Sequence, residues 1–591
     1  MIAPSETVEE TQHPTGSDFS EDGEPVLEAT ADSSAAVRPE VPSALSVASP
    51  QIDPVDEGSN RHSDDASDDF NDWESFSYRY RRSWGITLPE VTLSAFTETG
   101  QAESSIEVPK QRSYTGRSPV ISSCLADTPC TTLGIEGVLD QLNATLGTSH
   151  TLDTPSLSSL LDECIVKNND FGTAYARLRP VWNGNIQDKL RRREKKNKEQ
   201  RQKALVGNRI VDPNLPPRRL WDLYSNRIVP SWTTGALLTP PFGEDGPVKP
   251  ISHAWVDEKD RVDVWTSINR KEWPVPIPKG ASLELIRIEM LNLGLEYTWL
   301  DVLCLRQKGG SQENLRVEEW KLDVPTIGYV YRYAEVVIYL SGLGQPLSLK
   351  DGDLDSDQCW FRRAWTVQEV GDERIIAGDM PDGPMHARTI DEDGNYETEL
   401  LTRFHKQLEL VQRSRGLFDT LVHMQKRVSI NPVDRVAGLA FPLIPETIPA
   451  YHESESLEDA WTALVDSMDP GYRVDFLFVY PEAGLGCKKW RPTWEQVMTE
   501  SLLYGSCFGY VEHNDETGED WCEMFCIEKG LVRGLDVGSA EGHDQCGELV
   551  VEDADGIVHT FKICVTHQCL IPEDAYTLLG DWHYKAWAVG R

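Results

Sequence analysis

The chain of 591 residues carries 57 Lys and Arg against 96 Asp and Glu, a formal net charge of −39. Such an excess of negative charge argues against nucleic-acid binding, because that affinity comes largely from neutralising phosphates. The sequence has no run of about 18 apolar residues and no apolar leader, so we expect neither a membrane span nor a secretory signal. Its 12 cysteines are too dilute for a disulfide scaffold, which predicts a reducing, cytoplasmic location.

The N-terminal region is acidic and poor in aromatic residues. Residues 1–70 are rich in Ser, Asp, Glu, Pro and Ala, which is typical of disordered segments. We therefore predict that residues 1–120 form a mostly disordered acidic region.

Residues 121–245 are predicted as a helical leader that ends in a proline-rich connector. Within it, residues 189–203 hold nine basic and two acidic side chains. A solvated basic helix explains this composition. A nuclear-import signal, which would allow a nuclear location, and a docking site for the acidic tail are the alternatives.

Residues 246–380 alternate between strand-like and helix-like segments. The order is strand, helix, strand, helix, strand, helix, strand, in the segments VKPISHAWV, SLELIRIEMLNLGL, YTWLDVLCL, LRVEEWKLDVPTIGYVYRYA, EVVIYLSGL, CWFRRAWTVQEV (359–370) and ERIIAGD. This alternation predicts right-handed crossovers and a mainly parallel sheet flanked by helices. A helical extension over 390–470 and a mixed α+β region over 471–591 are predicted to follow.

Polar side chains gather where the predicted parallel strands end. Ligands of open parallel sheets bind outside the carboxyl ends of the strands. The residues at these strand ends include an aromatic ring, acidic and basic side chains and glycines, a combination that suits a nucleotide-sized ligand. The candidate residues are Ser252, His253, Trp255 and Asp257 after the first strand, Asp301, Cys304, Arg306 and Gln307 after the second, Ser341, Gly342 and Gly344 after the third, and Arg362, Trp365 and Glu369 on the following helix.

Four segments in this order resemble the signature of the fungal heterokaryon incompatibility (HET) domain. They are ISHAWV, YTWLDVLCLRQ, IGYVYRYAEVVIYLSGLG and CWFRRAWTVQEV, and the later NPVDRVAGLAF and KWRPTWEQV resemble it more weakly. His253 stands where tyrosine is commoner in that family, and Arg306 replaces the usual asparagine. The resemblance implies a flavodoxin/TIR-like fold and a role in non-self recognition and regulated cell death. It also implies protein partners and self-association through this domain.

The HET domain resembles TIR domains, and this relationship implies a second function. Many TIR domains cleave the nicotinamide–ribose bond of NAD⁺ with a glutamate that lies four residues after a tryptophan, as Glu369 follows Trp365. A carboxylate there stabilises the oxocarbenium-like charge on the ribose. Glu369 would be catalytic, NAD⁺ would be a substrate rather than a required cofactor, and the substrate would contact Trp255, Asp301, Arg306, Gly342, Arg362 and Trp365. The alternative is a core tryptophan beside a structural Arg362–Glu369 ion pair.

Two further groups of residues invite site hypotheses that the sequence does not favour. A nucleophile–base pair of Cys304 and His253 lacks a recognisable oxyanion-hole loop. A zinc site is weakly suggested by the C-terminal Cys522, Cys526, His543, Cys546, Cys564, His567 and Cys569. Their spacing does not match a paired zinc knuckle, so we predict core cysteines and no metal.

Overall fold

The computed structural model describes residues 88–154, 157–182, 186–234, 248–332, 334–371, 373–411, 416–443, 447–477, 479–480, 484, 488–502, 510–514, 516–535, 545–565, 571–581 and 586–590. The predicted disorder of residues 1–87, and the acidic tail proposed to dock on the basic helix, lie outside this part of the chain. Within the same predicted region, residues 88–120 contain regular structure. Val91–Ser94 pairs antiparallel with Ser113–Gly116, and the Ser94 side chain caps the helix Ala95–Thr99.

A six-stranded sheet forms the centre of the fold. Its strands, numbered in chain order, are β1 (Arg219–Asp222), β2 (Arg227–Pro230), β3 (Val248–His253), β4 (Tyr297–Trp299), β5 (Glu335–Tyr339) and β6 (Glu373–Ile376). The order across the sheet is β6-β5-β3-β4-β1-β2. Strands β3 to β6 are parallel to one another, whereas β1 and β2 are antiparallel additions beside β4. The predicted mainly parallel α/β sheet is therefore confirmed.

Strands β1 and β2 come from the segment that we predicted to be an extended connector. They form a hairpin that completes the sheet, so the sheet reaches beyond the predicted 246–380 segment. Trp221 of β1 is fully buried, and its Nε1 donates a hydrogen bond to Asn226 Oδ1 at 3.1 Å. Arg179, from the preceding helical leader, donates to Asp222 at 2.9 Å and to the Tyr297 hydroxyl at 2.8 Å. Leader and connector thus belong to the core that supports the sheet.

The first two crossovers contain the expected helices. Helix Leu283–Asn292 joins β3 to β4, and its N-cap Ser282 accepts from the Leu285 amide. Helices Glu313–Asp323 and Ile327–Tyr331 join β4 to β5 and are separated at Pro325, as predicted. An antiparallel hairpin, Arg261–Val264 with Val275–Pro278, precedes the first of these helices.

The segment 359–370, predicted as a helix, instead forms two short 3-10 turns, Trp360–Arg362 and Trp365–Val367. Its backbone is used for pairing with a distant segment. The Ala364 amide donates to the Val428 carbonyl at 2.9 Å, and the Val428 amide donates to the Arg362 carbonyl at 2.6 Å. These bonds replace the i to i−4 bonds of a helix. Thr366 and Val367 have low helix propensity, so the segment loses little free energy by not forming a helix.

The remaining elements flank the sheet or follow it in sequence. The predicted helical extension contains Glu399–Val411, Leu417–Gln425, Val433–Ala440 and Leu457–Ser467. Further helices are Ser123–Ala126, Cys130–Leu146, Leu157–Val166, Phe171–Leu178, the basic Ile186–Ala204, Ser231–Thr234, Asp301–Cys304, Pro470–Val474 and Trp494–Thr499. Short strands are Leu205–Val206, Arg209–Ile210, Ile448–Pro449, Val511–His513 and Asp520–Cys522. Within the described ranges, no helix has both the length and the apolar character that crossing a bilayer requires.

The C-terminal region contains an antiparallel five-stranded sheet. Its order is Val558–Val565, Gln545–Glu552, Phe525–Arg533, Asp574–Asp581, Ala586–Gly590. This sheet has a small core of its own around Val532, Leu549 and Leu578, whereas one continuous core extends from the N-terminal hairpin to Leu502. The segment VDFLFVY was expected to be a strand. Its first residue instead ends the helix Pro470–Val474, residues 475–477 form a turn, and residues 479–480 form a bend.

Candidate functional site

The carboxyl end of β3 holds a buried serine that joins two parts of the 359–370 segment. The Ser252 hydroxyl donates to the Glu369 carboxylate at 2.6 Å and accepts from Trp360 Nε1 at 2.8 Å. Ser252 is fully buried, and Glu369 is only 9% exposed. The Glu369 side chain is therefore directed at the strand end and not at solvent.

A second polar group lies where β3 and β4 end. His253 Nε2 is 2.8 Å from Asp301 Oδ1, and Trp255 Nε1 donates to Asp301 Oδ2 at 2.6 Å. The Val302 amide also donates to Asp301, at 2.7 Å, because Asp301 begins the short helix that follows β4. Asp301 is thus held by an imidazole, an indole and a backbone amide.

The pKa values of the two carboxyl groups of the site are shifted in opposite directions. Burial raises the pKa of Glu369 to about 7, against the hydrogen bond from Ser252, and repulsion from Asp301 adds to the rise. Burial also acts to raise the pKa of Asp301, but attraction to His253 and the hydrogen bonds outweigh it, so this pKa is lowered. Carboxyl groups whose pKa values are pushed apart are suited to separate acid and base roles.

The histidine completes this electrostatic arrangement. Burial alone would lower the pKa of His253, but attraction to Asp301 and their hydrogen bond dominate and raise it. The Asp301 side chain is 20% exposed, more than the side chain of its partner His253. A ligand approaching this edge would meet Asp301 and Trp255 first, with Glu369 lying deeper.

Four of the seven predicted site residues lie at the strand ends. Glu369, Asp301 and Trp255 belong to the hydrogen-bonded groups just described. Gly342 follows β5 and has a φ of 107°, in the left-handed region that favours glycine. A Cβ at Gly342 would lie 3.9 Å from Val256 Cγ1, so this turn passes close to the chain that leaves β3.

Trp365 and Arg362 do not share a surface with Glu369, which corrects the prediction of one helical face. Without a helix, the spacing of four residues no longer places Trp365 and Glu369 on one face. The Trp365 ring packs 6.5 Å from the Tyr451 ring, and its side chain bonds to Asp434. Arg362 pairs with Asp357 at 3.0 Å on the surface.

Arg306 also lies apart from Glu369, in a buried group of ion pairs. It contacts Glu272 at 3.1 Å and Glu319 at 3.6 Å, and its guanidinium lies 4.8 Å from the Trp273 ring centre. With two carboxylates and an aromatic face around it, Arg306 has a structural explanation that requires no substrate.

Two residues near Glu369 were not anticipated. Arg427 is buried, donates to the Arg363 carbonyl at 2.6 Å and attracts the Glu369 carboxylate. Both ends of the Gln368 amide are buried without a hydrogen-bond partner among the described residues. No sequence signal marks Arg427, because it approaches the site only through the pairing of residue 428. Gln368 lies within the CWFRRAWTVQEV segment but is not among the predicted site residues.

Within the described part of the chain, the environments of Cys304 and of the carboxylate cluster near His513 do not favour a nucleophilic cysteine or a metal site. Burial raises the pKa of Cys304 to about 12, which keeps its thiol protonated. Asp466, His513 and Asp520 lie close enough to share a cation. However, Lys488 and Arg491 each approach Asp520 at 3.0 Å and already supply positive charge there. Of the zinc candidates, His543, His567 and Cys569 lie outside the described residues.

The site is thus defined by its own geometry. A carboxyl group of raised pKa lies behind an ionised carboxylate and a histidine, at the ends of two parallel strands. Comparisons of this chain with protein-family models, with curated proteins and with solved structures found no match.

Proposed function

We propose that this chain is a HET-like signalling protein of non-self recognition and regulated cell death. It acts by assembling with protein partners, including further copies of itself, and the strand-end groups form the functional site of its α/β module.

One observation carries the proposal, namely that the four segments resembling the HET signature meet at one edge of the sheet. The first contributes Ser252 and His253, and the second contributes Asp301. The third ends in the Gly342 turn beside Val256, and the fourth contacts Ser252 through Trp360 and Glu369. When motif residues from distant parts of the sequence meet at one place in the structure, they indicate a functional site and not only a packed core.

The order of the parallel strands supports the flavodoxin/TIR-like part of the proposal. Counted along the chain, the four parallel strands lie in the order 2-1-3-4. This is the order of the first four strands of flavodoxin-like sheets, whose ligands bind where the order reverses, between the first and third strands. Here that position lies between β3 and β5, at Ser252 and Gly342.

Expression in filamentous fungal hyphae tests this function. We expect the wild-type chain to kill hyphal compartments above the empty-vector level, and the Ser252→Ala variant to lose most of this effect. Ser311→Ala, at an exposed loop position, is the matched control and should kill like the wild type. Normal hyphal growth and fusion in the presence of accumulated wild-type protein would contradict the proposal.

A second candidate function is hydrolysis of NAD⁺, with Glu369 as the catalytic carboxylate. The direction of the Glu369 side chain, toward the carboxyl end of β3, favours it. In the ionised form, Glu369 would stabilise positive charge on the ribose as the nicotinamide leaves. Asp301 and Trp255, at the more exposed side of the group, are suitably placed to contact the ribose hydroxyls and a ring.

Nicotinamide release by the purified full chain tests this candidate. Glu369→Gln should reduce the rate at least ~100-fold, the lower end for loss of one group that stabilises charge in the transition state. Glu373→Gln removes an exposed carboxylate four residues later and should leave the rate unchanged. Equal rates for both variants, or no release by the wild type, would exclude Glu369 catalysis while leaving the signalling proposal to the hyphal assay.

A further inference from the structure

Two exposed cysteines face each other in the C-terminal sheet. Cys546 and Cys564 are directly opposite in the antiparallel pairing of Gln545–Glu552 with Val558–Val565. Their Sγ atoms are 3.1 Å apart, and both residues are exposed. The two thiols therefore form a contact pair at the surface and not two separate core residues, which differs from our expectation of core cysteines.

The backbone geometry of this pair is compatible with a disulfide bond. Directly opposite residues of an antiparallel pair have Cα atoms ~4.5–5.5 Å apart. Disulfides occur at Cα separations of ~4.4–6.8 Å with an S–S length of ~2.05 Å. Starting from 3.1 Å, the two sulfurs need to approach by only about 1 Å, which side-chain rotation provides.

The surroundings allow a small oxidant to reach the pair. Both cysteines line a shallow cavity of about 410 Å³ together with Arg533, Glu548 and Lys562. A small molecule such as a peroxide can therefore reach the sulfur atoms from solvent.

We propose that Cys546 and Cys564 are a reversible redox pair that a peroxide closes into a cross-strand disulfide. One thiol releases its proton, and the thiolate attacks an oxygen of the peroxide, so that the O–O bond breaks and a sulfenic acid forms. The hydroxide that leaves takes up the released proton and becomes water. The second thiol attacks that sulfur, the S–S bond forms, and the sulfenic hydroxyl leaves with the thiol proton as water. The two thiols lose two electrons and two protons, and one hydrogen peroxide becomes two waters.

The other described cysteines lack this combination of features. Burial raises the pKa of Cys130 to about 12 and also raises that of Cys164. Cys526 is exposed, but its opposite residue is Leu579. An exposed disulfide is more easily reduced than a buried structural one, so a small-molecule thiol should reopen the bond. When closed, it would tie the edge strand Val558–Val565 to its neighbour.

Peptide mapping of the full-length chain tests the proposal. The reduced protein is exposed to hydrogen peroxide, its remaining thiols are alkylated, and its peptides are analysed by mass spectrometry. We expect the linked Cys546–Cys564 peptides to be the main oxidised product, while the exposed Cys124 and Cys526 remain mostly alkylated. Later addition of glutathione should restore both thiols.

Single substitutions separate this pair from general cysteine oxidation. Cys546→Ser and Cys564→Ser should each leave the remaining partner as a sulfenic acid or glutathione adduct, whereas Cys526→Ser should cross-link like the wild type. The proposal is overturned if Cys124 is oxidised at a dose that leaves residues 546 and 564 unlinked. It is also overturned if either cysteine links preferentially to another thiol. These wild-type measurements do not depend on the folding of any variant.

Discussion

At the scale of single residues, burial and hydrogen bonding separate two carboxyl groups that lie at the same edge of the sheet. Asp301 has three donors around it and remains ionised near neutral pH. The Glu369 carboxyl group accepts a hydrogen bond from the Ser252 hydroxyl, but it is almost completely buried. Burial raises its pKa to about 7, so it keeps its proton up to about that pH. A buried group kept at a cost to stability is more readily explained by function than by packing.

The cost of burying Glu369 gives a pH-dependent prediction. Since its pKa rises from 4.5 to about 7 on folding, the unfolded chain loses this proton first as the pH rises. The contribution of Glu369 to the free energy of unfolding should therefore fall between pH 4.5 and 7, by ~3 kcal/mol. Glu369→Gln should remove this loss and be more stable than the wild type at pH 8, as measured by urea unfolding. A difference that is constant with pH would contradict the prediction.

Asp301→Asn tests the pairing with His253. The raised pKa of His253 means that its contribution to stability is complete below pH 6.5 and is lost as the pH rises through the folded value. We expect the variant to lose ~3–5 kcal/mol of unfolding free energy at pH 6, as for a broken buried pair. At pH 9, where the charge attraction to His253 is lost but the Asp301 carboxylate still accepts hydrogen bonds, we expect ~1–3 kcal/mol.

The control for this prediction is Asp379→Asn. This variant removes the partner of the half-exposed His386, and the loss should stay below ~1 kcal/mol at both pH values. Equal losses for Asp301→Asn at pH 6 and pH 9 would contradict the prediction, because they would show that the charge of His253 does not change between the two pH values.

The sequence could identify some of these residues and not others, for physical reasons. Trp255, Asp301 and Gly342 follow apolar strands, and parallel strands end at one edge, so their proximity follows from local patterns. The environments of Trp365 and Arg306 depend on partners such as Tyr451 and Glu319, which no local pattern connects to them.

At the scale of elements, pairing between distant segments overrides local preference. The 3-10 turns of 359–370 exist because residues 362–364 bond to Val428. Strands β1 and β2 likewise come from a proline-rich stretch that suggested an extended connector. The parallel strands and their crossover helices could be predicted because their period and capping signals are local.

Val428→Pro tests the importance of that pairing. Proline lacks the amide that donates to the Arg362 carbonyl, so we expect a loss of ~2–3 kcal/mol in unfolding free energy and a displaced Glu369. Val428→Ala retains the amide and should lose only about 1 kcal/mol for its half-buried side chain. Similar losses in the two variants, measured by urea unfolding, would show that the backbone pairing contributes little.

At the scale of the whole molecule, the charge of −39 opposes the proposed self-association. Like charges on two copies repel each other, and salt screens this repulsion beyond about 10 Å at 0.1 M. We expect the weight-average mass of the full chain from light scattering to increase when salt is raised from 0.01 to 0.15 M. A decrease would show that attractive ion pairs, and not apolar contacts, hold the copies together.

The most direct measurement of the central claim, that the strand-end site carries the signalling activity, compares Glu369→Gln with Glu373→Gln in hyphae. Both variants lose one carboxylate, but only Glu369 reaches Ser252. We predict that Glu369→Gln accumulates at least to the wild-type level yet causes no cell death, whereas Glu373→Gln kills like the wild type. Cell death by Glu369→Gln at the wild-type frequency would contradict the account.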